Sequence, residues 1–193
     1  MRLADADLQA SCDLALAHWD GRSPQWVFGY ASLIWRPELD FDARVPVRMH
    51  GYHRRLCLRS IAYRGTPESP GLVAGLDRGG SCAGVAFRLP AATVRQQFAR
   101  LWQREMFLGA YRPRWLRVRG AAGQFDALAF VIDRHSPLYC GGLGDAELGA
   151  VLRHARGEKG SSLEYLEQTV AALRAEGLHD RHLERIARLA RQT

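Results

Sequence analysis

Leu72-Val73-Ala74-Gly75-Leu76-Asp77-Arg78-Gly79-Gly80-Ser81-Cys82-Ala83-Gly84-Val85-Ala86-Phe87-Arg88-Leu89 lies near the middle of a 193-residue chain, and its reading sets the fold class. The two apolar runs predict short strands, Leu72–Leu76 and Ala83–Leu89. Asp77-Arg78-Gly79-Gly80 has the composition of a turn joining them. Upstream, Trp26-Val27-Phe28-Gly29-Tyr30 is strand-like and runs into a loop closed by Pro37. Val45 to Ser60 reads as an arginine-rich extended segment, and residues 64–71 carry turn chemistry throughout. Downstream, Pro90 suits the first turn of a helix over 91–108. Trp115–Val118 and Phe125–Ile132 then form a hairpin across Gly120 and Gly123. The last third is helical, over about 145–156, 162–176 and 180–190, with Leu163, Leu166, Val170 and Leu173 as a core stripe. A further amphipathic helix opens the chain over about 7–19. Short strands first and helices last make the class α+β, with residues 1–193 expected to form one domain.

The chain carries 27 Lys plus Arg against 20 Asp plus Glu, a formal net charge of +7. Lys159 is the only lysine, so the surplus is almost wholly arginine. A basic balance suggests an anionic partner, whether nucleic acid, a membrane surface or a small acid, although an arginine bias can equally reflect coding composition. Hydrophobic residues make up 47% and charged residues 24%, which excludes an intrinsically disordered chain. Asp5, Asp7 and Asp13 interrupt the apolar run that a secretory signal needs. No segment approaches the roughly 18 apolar residues of a membrane span. Cys12, Cys57, Cys82 and Cys140 are scattered without a CxxC pair, so reduced thiols and a cytoplasmic location are expected.

The helix over 91–108 holds the feature that periodicity marks out. Val94, Phe98, Leu101 and Leu108 lie on one stripe, and four residues beyond Leu101 the stripe meets Glu105 rather than an apolar side chain. A carboxylate there faces the interior or a cleft, where desolvation raises its pKa toward the range useful to a general acid or base. The alternative is a structural ion pair with an arginine such as Arg64 or Arg112. A second candidate is Gly29-Tyr30-Ala31-Ser32-Leu33. A strand that ends in small residues exposes successive backbone N–H groups able to hold a carboxylate or an oxyanion. Ser32 as a nucleophile is conceivable, but the pattern is not G-x-S-x-G. His50-x-x-His53 and His179-x-x-His182 lack the companions of a metal site. Gly141-Gly142-Leu143-Gly144 lacks the Lys-Ser/Thr of a phosphate loop. Arg112, Arg114, Arg117 and Arg119, interleaved with Tyr111 and Trp115, imitate a nucleic-acid stripe but equally suit a solvated strand face.

Taken together, these segments resemble the ChaC family of γ-glutamylcyclotransferases. The resemblance is carried by Trp26-Val27-Phe28-Gly29-Tyr30-Ala31-Ser32-Leu33-Ile34-Trp35, Gly51-Tyr52-His53-Arg54-Arg55, Arg64-Gly65-Thr66 with Pro70-Gly71, and Gly84-Val85-Ala86-Phe87-Arg88-Leu89. It continues through Leu101-Trp102-Gln103-Arg104-Glu105-Met106 with Gly109-Ala110-Tyr111, then Pro137-Leu138-Tyr139 and Ser162-Leu163-Glu164-Tyr165-Leu166, all in order over about residues 25 to 175. It implies a small β-barrel with surrounding helices and an enzyme that cleaves glutathione to 5-oxoproline and cysteinylglycine without a metal or organic cofactor. It further implies that Glu105 is the catalytic acid/base and that Tyr30, Ala31, Ser32 and Leu33 hold the γ-glutamyl group through their backbone. Arg64, Tyr111 and Tyr139 become candidates for the pocket wall; for both tyrosines, core packing is the competing reading. Where the family's loop has Gly, this chain has Ala31, which matters if the position needs a positive φ. Other γ-glutamyl amines or dipeptides remain alternative substrates, and a nucleic-acid-binding module or a Ser32 hydrolase are the alternatives outside the class.

Overall fold

In this computed structural model, which describes residues 3–192, five strands close into a barrel. They are β1 (Gln25–Gly29), β2 (Ala43–Ser60), β3 (Gly71–Leu89), β4 (Tyr111–Gly120) and β5 (Gly123–Ile132). β2 and β3 pair antiparallel along nearly their whole length, and β4 and β5 form a second hairpin that closes at Gly120–Gly123. β1 completes the wall, antiparallel to the end of β3 and parallel to β5 at Val27–Leu128.

The composition of Asp77-Arg78-Gly79-Gly80 is misleading. Residues 71–89 form one strand rather than two, and the chain reverses in the Gly/Pro/Ser-rich stretch 61–70 instead. Gly79 and Gly80 take φ of +98° and +67°, and Gly51 on the facing strand takes +87°, beside a register slip between His50 and Tyr52. Without a Cβ these conformations cost little, so the strand pair bends through a bulge and keeps its ladder. That bend lets β3 border β1 through Val85–Leu89 and β5 at Leu76–Val131, which closes the barrel. Phe28, Met49, Leu76, Phe87 and Ala129 are buried in its core. Gly84 belongs to this packing, since a Cβ there would stand 2.4 Å from the Gly29 carbonyl oxygen and 2.7 Å from the Phe28 ring.

Among the described residues six α-helices surround the barrel: α1 (Asp5–Ala15), α2 (Ser32–Trp35), α3 (Val94–Leu101), α4 (Asp145–His154), α5 (Ser162–Ala175) and α6 (Arg181–Arg191). The opening helix is shorter than 7–19: it stops at Ala15, and the Trp19 indole donates to the Ser23 carbonyl at 2.8 Å in the turn that follows. α1 and α3 cover one flank, where Leu8, Cys12, Phe98 and Trp102 meet Val27, Leu128 and Phe130. α4, α5 and α6 cover another, and Leu148, Leu166, Leu173 and Ile186 join the barrel core. Each such aliphatic side chain contributes about 1.5–3 kcal/mol on burial, so these helices are held by packing more than by propensity. The α5 stripe is buried at Leu166, Val170 and Leu173 and half-buried at Leu163. A capping box starts α5: Ser161 Oγ accepts from the Glu164 N–H at 3.1 Å and Glu164 Oε2 accepts from the Ser161 N–H at 2.6 Å. Just before it, β6 (Arg156–Gly157) and β7 (Gly160–Ser161) make a two-residue hairpin. The α+β class stands.

Candidate active site

The helix expected over 91–108 is composite: a 3-10 turn at Ala91–Thr93, α3, then a π turn at Trp102–Met106. The wider turn carries the buried stripe from Leu101 to Trp102 and Met106, and it turns Glu105 toward a cavity beside the barrel. π turns cost hydrogen-bond geometry and recur at functional sites. The Glu105 side chain keeps 15% exposure, and burial raises its carboxyl pKa above the ordinary value against the pull of Arg104. Its partner is neither Arg64 nor Arg112. Arg104 Nε stands 2.9 Å from Glu105 Oε1, whereas Arg112 pairs with Asp133.

Arg104 is also the strut of the opposite wall. It donates to Glu38 Oε2 at 3.1 Å, to Ser32 Oγ at 3.1 Å and to the Arg36 carbonyl at 2.5 Å. Glu38 also pairs with Arg36 at 2.7 Å and is the only non-glycine of positive φ among the described residues, at +51°. The Tyr30–Leu33 stretch is not an open loop: after Ala31 it turns into α2, a single helical turn. Ile34 N–H bonds the Ala31 carbonyl, while Ser32 and Leu33 occupy the first-turn positions whose N–H groups have no intrahelical acceptor. Ala31 has φ −146°, so the missing glycine removes no left-handed conformation.

Tyr30, Tyr111 and Tyr165 surround the same cavity. The Tyr30 hydroxyl donates to the Phe130 carbonyl at 3.1 Å, and the Tyr165 hydroxyl accepts from the Ala74 N–H at 3.2 Å. Burial pushes the Tyr30 and Tyr111 phenols well above their usual pKa and Tyr165 to about 12, so all three are neutral donors at physiological pH. Arg64, 6% exposed, lies over the Trp35 and Tyr165 rings at 5.8 and 5.6 Å and makes no ion pair among the described residues. Desolvation depresses its pKa, as burial does for a cation.

Glu105, Tyr30, Ala31, Ser32, Leu33, Arg64 and Tyr111 therefore meet at one cavity. Tyr139 does not. Its hydroxyl donates to Asp77 Oδ2 at 2.9 Å, beside Arg134 at 2.6 Å from the same carboxylate, which has no exposed surface. Sequence reasoning missed Arg104, Glu38, Tyr63, Lys159 and Tyr165. Only Tyr165 left a trace, as a polar-tipped ring on the buried face of α5 between Ser162 and Thr169.

A closed five-stranded barrel flanked by helices is also the fold of solved γ-glutamyl cyclotransferases. A solved glutathione-specific γ-glutamyl cyclotransferase from yeast superposes with a TM-score of 0.81 at 21% identity, over 89% of this chain and 97% of that one. A solved γ-glutamyl cyclotransferase superposes with a TM-score of 0.53 over 85% of this chain and 86% of its own. The family model for ChaC-like proteins matches residues 25–193, and the chain belongs to that family. It is 36% identical to the glutathione-specific γ-glutamylcyclotransferase of Escherichia coli K12, over 89% of this chain and 74% of the relative. It is 33% identical to glutathione-specific γ-glutamylcyclotransferase 1 of Mus musculus, over 87% and 79%.

Proposed function

We propose that this chain is a glutathione-specific γ-glutamylcyclotransferase, releasing 5-oxoproline and cysteinylglycine. The observation that carries the reading is a single cavity holding a desolvated carboxylate, Glu105, an unpaired buried cation, Arg64, and the first-turn N–H groups of α2. Each has a counterpart on a γ-glutamyl group: the α-ammonium for Glu105, the α-carboxylate for Arg64 and the γ-carbonyl oxygen for the N–H groups. The reaction is intramolecular, since the α-nitrogen attacks its own γ-carbonyl to close a five-membered ring. The protein must chiefly hold the folded-back conformer, as the neutral phenols and the wall at Tyr30–Leu33 do. An ammonium cannot attack, so Glu105 takes its proton and later delivers one to the departing cysteinyl nitrogen. A pKa raised by burial suits both transfers. The N–H groups of Ser32 and Leu33 stabilise the oxyanion between the two steps.

This reading needs neither a metal nor an organic cofactor, and it takes residues 1–193 as one domain. It uses the positive charge for a small acid rather than nucleic acid. Many of the arginines sit in surface pairs such as Arg88–Asp42, Arg117–Asp126 and Arg191–Glu167. A cytoplasmic location accompanies it, consistent with four free cysteines and with the lack of a helix long and apolar enough to cross a membrane among the described residues. The test is incubation with glutathione and a panel of γ-glutamyl amino acids, with 5-oxoproline measured directly. Glutathione turnover by the wild type and its loss in Glu105→Gln are expected. Near-normal turnover by that variant would remove Glu105 from the mechanism.

A further inference from the structure

Glutathione has two carboxylates, and the cavity wall has more than one cation to offer them. Of the five basic residues there, Arg104 and Arg36 are committed to Glu105 and Glu38. Arg64, Lys159 and Arg59 make no ion pair among the described residues. Arg64 is the buried one, assigned above to the α-carboxylate of the γ-glutamyl group. Lys159 is exposed, at the cavity mouth.

Lys159 is held there firmly for a surface lysine. It lies in the turn of the β6–β7 hairpin, and its N–H bonds the Tyr63 carbonyl at 2.9 Å, while the Glu158 N–H bonds the Ala62 carbonyl at 3.0 Å. The hairpin presses so closely on residues 62–65 that a Cβ at Gly157 would stand 2.5 Å from the Ala62 carbonyl oxygen and 2.7 Å from the Arg64 nitrogen. Arg64 Nη1 reaches back to the Ser161 carbonyl at 3.4 Å. Backbone contacts therefore bring Arg64 and Lys159 to one cavity as a unit. The Lys159 ammonium rests 3.8 Å from the Tyr63 ring centroid, a contact that limits its rotamers without neutralising its charge. Glu38 is near enough to feel that charge but already holds Arg36 and Arg104.

We propose that Lys159, steadied on Tyr63, is a specificity-determining residue that recognises the glycine carboxylate of glutathione. The assignment rests on the γ-glutamylcyclotransferase reading and deepens it. Arg64 holds the end common to all γ-glutamyl compounds, whereas Lys159 reads the far carboxylate that separates the tripeptide from simple γ-glutamyl amines.

The experiment compares glutathione with its glycine amide, which lacks only the distal charge, for the wild type, Lys159→Met and Lys159→Arg, following 5-oxoproline. The wild type is expected to favour glutathione by roughly fivefold in kcat/KM, the scale of a water-exposed ion pair, mainly through KM. Lys159→Met loses that preference by weakening glutathione alone, and Lys159→Arg keeps it. Retention of the preference in Lys159→Met overturns the assignment, and so does its loss in Arg59→Met with Lys159→Met unaffected. Wild-type protein that releases no 5-oxoproline from either peptide overturns the cyclotransferase reading itself, and this assignment with it.

Discussion

Glu105 is paired with its own sequence neighbour: Arg104 Nε stands 2.9 Å from Glu105 Oε1 across the π turn. On a regular α-helix, adjacent residues diverge and do not face one another. The π turn brings both to the same cavity wall, where the guanidinium also grips Glu38 and the Ser32 hydroxyl. One cation thus sets the proton affinity of the carboxylate and braces the wall opposite it.

The pH profile follows from that pairing. Burial raises the Glu105 pKa, and Arg104 opposes the rise. In Arg104→Gln the burial is less opposed, so the acidic limb of kcat/KM, where the basic form of Glu105 is lost, moves to higher pH. A limb that stays in place or moves down would separate Arg104 from the titration.

Stability should carry the opposite signature. A carboxyl whose pKa is raised on folding binds its proton more tightly in the folded state. The folded protein therefore loses stability as pH rises from the unfolded value, near 4.5, through the folded one. Glu105→Gln removes this cost, and it should melt at a higher temperature than the wild type at pH 7, with the gap closing toward pH 4. The same variant should lose turnover by about a hundredfold or more.

Tyr139→Phe distinguishes a structural tyrosine from a pocket tyrosine. It deletes one hydrogen bond to the buried Asp77 carboxylate, so denaturant unfolding should register about 1–2 kcal/mol of lost stability while KM for glutathione is unchanged. Burial works to raise the Asp77 pKa, but hydrogen bonds from Arg134, Tyr139 and the Arg78 N–H outweigh it and hold the pKa low. The stability this gives is present above the unfolded value and lost as pH falls through the folded one. A large rise in KM without destabilisation would move Tyr139 to the site.

Ala31→Gly should do little for catalysis. At φ −146° the position lies outside the left-handed region that glycine alone enters freely. KM for glutathione is expected to change by less than about threefold. A marked gain in affinity would mean that the alanine methyl crowds the substrate.

Periodicity was enough to single out Glu105, because one carboxylate broke an apolar stripe. It also placed α4, α5 and α6 to within a few residues, since each buries one face. It was misleading where local composition and tertiary pairing disagree. Asp77-Arg78-Gly79-Gly80 has the residues of a turn, yet β2 pairs with Asp77 and Arg78 before the two glycines and with Ser81 after them, and the glycines serve a bend within a strand. A chain cannot show in its own composition which segment will supply its partners.

The amino-acid sequence alone determined the α+β class, the acid on an apolar face, the strand-end loop and the family resemblance, because these rest on local order and spacing. Only the tertiary structure decided that Arg104 rather than Arg64 holds Glu105, that Tyr139 turns to Asp77, and that Lys159 stands at the same cavity as Arg64. Those facts depend on a barrel closed by one bent strand and on a π turn. Both join residues far apart along the chain, or rotate neighbours, in ways that no spacing rule records.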